Sequence, residues 1–256
     1  MKRPVIIALI ALMLSTLACS ATVNLPKVNV QVTAGPTQIM TIQEPLPTDQ
    51  QVQQVEISMG GGTLEIAGTA TDLVSGAIKY NIVAWKPTVE RSGNLVRIAQ
   101  ETTGKLTLPS EVVNNWNLLL GNTIPIDLKI AAGAYQGKLD LSGLRLRNLS
   151  ITDGASDATV RFDRPNPEKM EQLSYKTGAS QVKMFGLANA NFKTMTFEGG
   201  AGSFELDFAG QLPQEAFLNI KTGASAITLT VPKGMAVKVI STSTVSNVST
   251  QGTWTM

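Results

Sequence analysis

Over much of the chain, apolar and polar residues alternate in short blocks, each block centred on a glycine. The blocks are "LKIAAGAYQGKLDL" around Gly133, "LSITDGASDATVRF" around Gly154, "LSYKTGASQVKMFG" around Gly178, "MTFEGGAGSFELDF" around Gly200 and "LNIKTGASAITLTV" around Gly223. The glycines are spaced by 21, 24, 22 and 23 residues, and an earlier copy surrounds Gly60 in "VEISMGGGTLEIAG". Apolar side chains fall five and three places before each glycine, as in Leu149 and Ile151 or Leu218 and Ile220. They return four and six places after it, as in Val182 and Met184 or Phe204 and Leu206. Alternation with period two is the strand signature. A glycine with a small neighbour suits a tight turn or bend. Each block therefore predicts strand, turn, strand, and a period near 23 residues predicts a solenoid-like all-β stack of short strands.

Stacking makes a register prediction. Positions five past each glycine (Lys138, Thr159, Lys183, Glu205, Thr228) should be neighbours, as should positions seven past it (Asp140, Arg161, Phe185, Asp207, Thr230). Lys183 should lie beside Glu205 and Asp140 beside Arg161, leaving Phe185 as the one apolar side chain on that face. Glycine-rich loops also cradle phosphates, but that use needs a following helix. Here each glycine precedes a strand pattern, so "GGAG" at Gly199–Gly202 reads as a bend. No 3.6-residue stripe of useful length occurs, and "SEVVNNW" at Ser110–Trp116 allows one helical turn at most. Two hairpin excursions are expected between Gly60 and Gly133. One turns at Ser92-Gly93-Asn94 and the other at Gly121-Asn122. Trp85 and Trp116 should anchor them by burial. After Gly223, Val237 and Val239 restart the pattern, but Thr242 stands where the next glycine belongs. The last rung then needs a cap, because open strand edges recruit other chains. Closure by the protein's own residues, such as a strand near Val28–Val32, is expected over an edge left for a partner.

The ends of the chain carry a different signal. "MKRPVIIALIALMLSTLACS" places Lys2 and Arg3 ahead of an apolar run too short to be a comfortable membrane span. Cys19, the single cysteine, sits where a bacterial lipoprotein signal is cut and acylated. Residues 1–18 then form the signal peptide and Cys19 the lipid attachment site, of palmitate type. Thr16 stands where that motif prefers leucine, and ordinary cleavage after Ala21 is the alternative. A lone cysteine makes no intrachain disulfide. Residues 19–54 read as a flexible tether, with Pro26, Pro36, Pro45 and Pro47 and no aromatic residue. Residues 55–256 are then the β domain. Removing Lys2 and Arg3 leaves 19 basic against 19 acidic residues, so the mature chain is near neutral and no nucleic-acid partner is implied.

The blocks, the "WNLLL…PIDLKI…LDLSGLRLRNLSI" run and the closing "LTVPKGMAVKVI" together resemble the toast-rack domains of bacterial envelope proteins. These include parts of cell-wall-active antibiotic response proteins and adhesin-like proteins. The resemblance covers roughly residues 54–239 and implies an all-β, solenoid-like stack with no catalytic residues attached to the pattern. Relatives usually continue with another strand pair where this chain ends.

The candidate chemistry is sparse. The chain has no histidine, which removes Ser-His and Cys-His nucleophile systems and imidazole metal sites. A two-carboxylate hydrolase would have to draw on Asp140, Asp153, Asp157, Glu205 and Asp207. The reading is therefore not an enzyme, with no catalytic residue, cofactor or metal site. The expected function is that of a lipid-anchored extracytoplasmic protein that binds or scaffolds at the cell envelope. Its partners would be the membrane, through the anchor, and an envelope protein or polymer. A regulatory accessory of envelope-stress sensing is the alternative.

Overall fold

The computed structural model describes residues 30–31, 33–48, 50–100, 106–107, 111–240 and 249–252. Cys19 and the expected signal peptide lie outside the described residues. The strands are β1 (Val30–Gln31), β2 (Gln38–Glu44), β3 (Gln53–Ala70), β4 (Val74–Tyr80), β5 (Thr88–Ser92), β6 (Leu95–Ala99) and β7 (Leu106–Thr107). They continue with β8 (Asn114–Gly121), β9 (Ile126–Asp140), β10 (Leu146–Arg161), β11 (Met170–Phe185), β12 (Phe192–Asp207), β13 (Phe217–Thr222) and β14 (Ser225–Thr230). Among the described residues the only helical pieces are two single 3-10 turns, Val83–Trp85 and Leu187–Ala190. The fold is all-β, a solenoid-like stack.

The stack runs β13/β14, β12, β11, β10, β9, β3, with every adjacent pair parallel. Its register is the one the glycines predict: the pairing places Gly60, Gly133, Gly154, Gly178, Gly200 and Gly223 in one column. Lys183 pairs with Glu205, and Asp140 with Arg161. Neither pair closes an ion pair. The Arg161 guanidinium lies over the Phe185 ring instead, 4.8 Å from its centroid, a cation–π contact that accounts for the apolar residue on this face. The ion pairs between rungs use other positions, such as Lys176–Glu198 at 3.1 Å and Lys138–Glu65 at 3.3 Å.

The glycine is less of a turn than expected. β9 to β12 run unbroken through it for 15 or 16 residues. What changes is direction. Phe197 and Phe204, three before and four after Gly200 on the same strand, bring their rings within 4.9 Å of each other. Each rung is thus a bent strand whose two arms converge on the core. The column of glycines exists because successive bends nearly touch. A Cβ on Gly178 would lie 2.2 Å from the Gly154 carbonyl oxygen, and one on Gly133 2.1 Å from that of Gly60. The core lies between the arms, filled by residues such as Leu149, Ile151, Tyr175, Val182, Met184 and Phe204.

The N-terminal end departs from the expected hairpins in one respect. β5 and β6 do form an antiparallel hairpin across Gly93. β8 and β9 do not: both pair parallel with β3, one on each side, so Gly121-Asn122 begins a crossover rather than a hairpin turn. The reason is burial. Trp116, Leu118 and Leu120 of β8 must face the core that β3 already lines, and only a place on the free side of β3 allows it. β6 and β8 together make one further rung, interrupted where the chain leaves between Ala99 and Asn114. Trp85 and Trp116 are buried there as expected. Gln100 bridges the gap, donating to the Trp85 carbonyl at 2.6 Å, while Trp116 Nε1 donates to Asn114 Oδ1 at 3.0 Å.

Residues 38–44, expected within the tether, form β2 and pair antiparallel with β4. Ile42 accounts for this, because it is 2 % exposed and belongs to the core. The docked domain therefore begins before residue 55. The expected closure of the last rung by a strand near Val28–Val32 does not hold either. Val30–Gln31 pairs with Leu106–Thr107 at β7 instead. Val237–Ile240 forms no strand and is exposed. Among the described residues no strand pairs with the outer edge of β13 or β14.

Candidate functional site

The bend of each rung has two inward positions, one before the glycine and two after it. In most rungs these are small or polar, because the arms meet there and leave no room for a large apolar side chain on both. They read Ala132 and Tyr135, Asp153 and Ser156, Thr177 and Ser180, Gly199 and Gly202, Thr222 and Ser225. The Thr and Ser of the repeated "KTGAS" are these two inward residues, and its Lys is the outward residue beside them.

In the middle of the stack this polar seam closes on one carboxylate. Asp153 is 7 % exposed. Its Oδ2 accepts from the Tyr175 hydroxyl at 2.9 Å, and its Oδ1 from Thr177 Oγ1 and from Ser180 Oγ at 3.4 Å. Ser180 Oγ also accepts from the Ser156 backbone N–H at 2.9 Å. The Tyr135 hydroxyl is buried at the rim of this cluster without a hydrogen-bond partner. Burial pushes the Tyr135 and Tyr175 phenols well above the ordinary tyrosine value, and the nearby Asp153 charge raises both further. All three side-chain donors to Asp153 come from the next rung, β11, so the cluster ties β10 to β11.

The other acids considered as a hydrolytic pair are not brought together. Asp157 is exposed, between Gln136 and Gln181 in register. Asp140 caps the following turn, accepting from the Ser142 N–H at 3.0 Å, and Asp207 does the same for Ala209 at 2.7 Å. Glu205 stands in the outward row between Lys183 and Thr228. Among the described residues no group of three potential metal ligands is present. Sequence reasoning missed the Asp153 cluster. Its signal was available, since Asp153, Thr177 and Ser180 occupy inward parity positions, where a polar residue asks for a partner.

Outside the bend, Thr152, Lys176, Glu198 and Lys221 form a row across four successive rungs and flank a shallow groove that reaches Thr177. At the end of the stack a different surface opens. Ile227 and Leu229 of β14 are 38 and 39 % exposed, whereas their counterparts one rung in, Phe204 and Leu206, are 1 and 0 % exposed. Leu218 and Ile220 of β13 are half-buried, against fully buried Met195 and Phe197.

A parallel stack of bent strands with a glycine column defines the class, an all-β solenoid with an extended side-chain surface. The chain belongs to the toast-rack family: residues 27–183 match the model described as the N-terminal domain of toast_rack, DUF2154. Among solved structures it is similar to a candidate cell adhesion protein from Clostridium sporogenes. The two share 19 % identity at a TM-score of 0.58, over 76 % of this chain and 98 % of that one. At that identity the likeness is one of fold. A candidate adhesin from Bacteroides fragilis matches over 78 % of this chain and 100 % of its own, with 11 % identity and a TM-score of 0.33. No curated protein matches the chain.

Proposed function

We propose that this protein is a non-catalytic, lipid-anchored extracytoplasmic module that binds or scaffolds, in an adhesin-like way, at the bacterial cell envelope. The observation that carries the binding role is the regular outer row Thr152–Lys176–Glu198–Lys221 beside the bend. It repeats at the rung spacing of about 4.8 Å. An extended row of alternating charge suits a protein or polymer laid along the stack better than a small molecule enclosed in a cleft. Asp153, the one buried carboxylate among the described residues, is held within the fold. The anchor rests on Cys19, the lone cysteine at the end of the apolar leader. Each acyl methylene adds roughly 0.8 kcal/mol of membrane affinity, so multiple acylation holds a protein without a spanning helix. Residues 1–18 are then the signal peptide, and the linker after Cys19 leads into β2. The fold neighbour from Clostridium sporogenes supports the adhesin-like reading by analogy of architecture.

Detergent phase partitioning of the protein and of Cys19→Ala tests the anchor. The unchanged protein is expected in the detergent phase and the variant in the aqueous phase; both in the aqueous phase refutes lipidation. For binding, crosslinking in the native host from a photoreactive residue at Lys176 is expected to give a discrete adduct that the Glu198→Lys, Lys221→Glu double variant loses. An adduct indifferent to that charge change refutes the row as the contact.

A further inference from the structure

We infer that the end rung of β13 and β14, on whose outer edge no strand pairs among the described residues, is a self-complementary dimerisation edge, on which a second copy of this chain stacks antiparallel about a twofold axis through the bend. This goes beyond the anchored binding role; the anchor does not enter the argument, and of the outer row only Lys221 does, through its register position.

The inference begins with parity. In β13 the even residues Leu218, Ile220 and Thr222 point inward; in β14 the odd residues Ser225, Ile227 and Leu229 do. The switch occurs because two residues, Gly223 and Ala224, stand at the bend between the inward positions. Inward residues are therefore placed symmetrically about the bond joining Gly223 and Ala224. Running the rung backwards puts an inward position opposite each inward position, so an antiparallel copy fits the edge as well as a parallel one. Directly opposed residues of an antiparallel pair share a face, and this symmetry makes the two faces agree along both arms.

The side chains then match in identity. Read from either end, the inward residues of "LNIKTGASAITL" are Leu, Ile, a hydroxyl residue, a hydroxyl residue, Ile, Leu. In the twofold pairing, Leu218 meets the second copy's Leu229, Ile220 its Ile227, and Thr222 its Ser225. Ile227 and Leu229, the inward apolar residues that the end rung leaves exposed, are thus covered by the pairing and continue the core of both stacks, while the outward Phe217, 65 % exposed, falls opposite the second copy's Thr230. The hydroxyl of Ser225, buried without a partner, meets the Thr222 hydroxyl of the other copy. The rung in the middle of the stack has no such palindrome: Leu149, Ile151 and Asp153 precede its glycine, and Ser156, Ala158 and Val160 follow.

Charge permits the pairing. The only charged side chain on the edge rung, Lys221, falls opposite Ala226 of the second copy rather than opposite its own equivalent. The two Lys221 residues stand five positions apart along the joined edge, roughly 17 Å. A lysine on an edge strand ordinarily discourages pairing; here the register moves it out of the way. Closed twofold symmetry uses up both edges, so the contact ends at a dimer. Val231 and Met235 pack against the margin of the core yet leave Ile227 and Leu229 open.

The register supplies the test, because Lys221 and Ala226 are both exposed and their replacement leaves the core intact. Full-length chains carrying Cys19→Ser together with either Lys221→Cys or Ala226→Cys are prepared separately and then mixed under mild oxidation. The mixture is expected to form a disulfide-linked dimer, and each variant alone to form little. Sedimentation of the otherwise native chain in detergent gives the second reading. Ala226→Lys is expected to weaken association roughly tenfold through two like-charge pairs, whereas Ala226→Glu, facing Lys221, preserves or tightens it. A chain that remains monomeric at all concentrations overturns the inference. So do crosslinks as abundant in the single variants as in the mixture, and a dimer that responds equally to both charges at residue 226. Because Cys19 is replaced in the crosslinking chains, failure of the anchor and failure of the edge are read separately.

Discussion

Replacing Gly178 by Ala tests the reason for the glycine column. The Cβ would lie 2.2 Å from the carbonyl oxygen of Gly154, on a backbone carbonyl that other rungs hold in place. Ordinary contact begins near 3.4 Å, so the two bends must separate by about 1 Å. Overpacking of this kind costs about 1–3 kcal/mol. The separation also loosens the hydrogen bonds beside the bend, worth about 0.5–1.5 kcal/mol each. Against this, Ala narrows the unfolded ensemble and returns about 0.4–1 kcal/mol. The net expectation is a loss of about 3 kcal/mol. Gly154 is the internal control: its Cβ would stand 3.0 Å from the Gly133 carbonyl oxygen, a strain of a few tenths of an ångström. Gly154→Ala should therefore change stability by less than about 1 kcal/mol. Urea unfolding followed by circular dichroism separates the two, and in thermal scans the difference corresponds to about 5–10 °C for a domain of this size. Equal midpoints for Gly178→Ala and Gly154→Ala would falsify the close-approach explanation and leave only a generic preference for small residues.

Asp153→Asn should destabilise by about 2–3 kcal/mol in the same denaturant assay, because an amide NH2 then faces hydroxyl donors that Asp153 now satisfies; a neutral effect refutes the cluster as a tie between rungs. Tyr175→Phe should cost more than Tyr135→Phe, since the first removes a donor to Asp153 and the second a hydroxyl without a partner; the reverse order in urea midpoints contradicts the assignment. Both phenols hold their protons more tightly folded than unfolded, so the stability they lend is complete below the unfolded value of 10.0 and declines as pH rises above it. Urea midpoints between pH 9 and 11 should show that decline, and the double Tyr→Phe variant should flatten it. Glu198→Gln should shift stability by less than about 0.5 kcal/mol, because its ion pair with Lys176 is solvent-exposed; a larger loss by the same assay means the row is structural.

The sequence by itself determined the rungs and their register. Strand alternation with a fixed parity about Gly133, Gly154, Gly178, Gly200 and Gly223 leaves one alignment in which every inward residue stays inward, and a slip by one residue would expose Val182, Met184 and their equivalents. That is why Lys183 and Glu205, 22 residues apart, could be paired without coordinates. Where the period lapses, so did the legibility. Nothing local distinguishes a β8–β9 hairpin from two strands on opposite sides of β3, because both arrangements satisfy the same alternation; only competition for the free side of β3 decides it. Residues 38–44 looked too polar to dock, yet one buried residue, Ile42, and an unpaired edge on β4 suffice to hold them. The Asp153 cluster likewise needed the tertiary structure, since its donors come from Tyr175, Thr177 and Ser180, more than twenty residues away. Inward parity marks a polar residue as buried, but only the bending of adjacent strands decides which hydroxyls reach it. The open edge of β13 and β14 was the hardest to foresee: a rung's pattern states what it can stack upon, and only the packed whole shows which face is left without a neighbour.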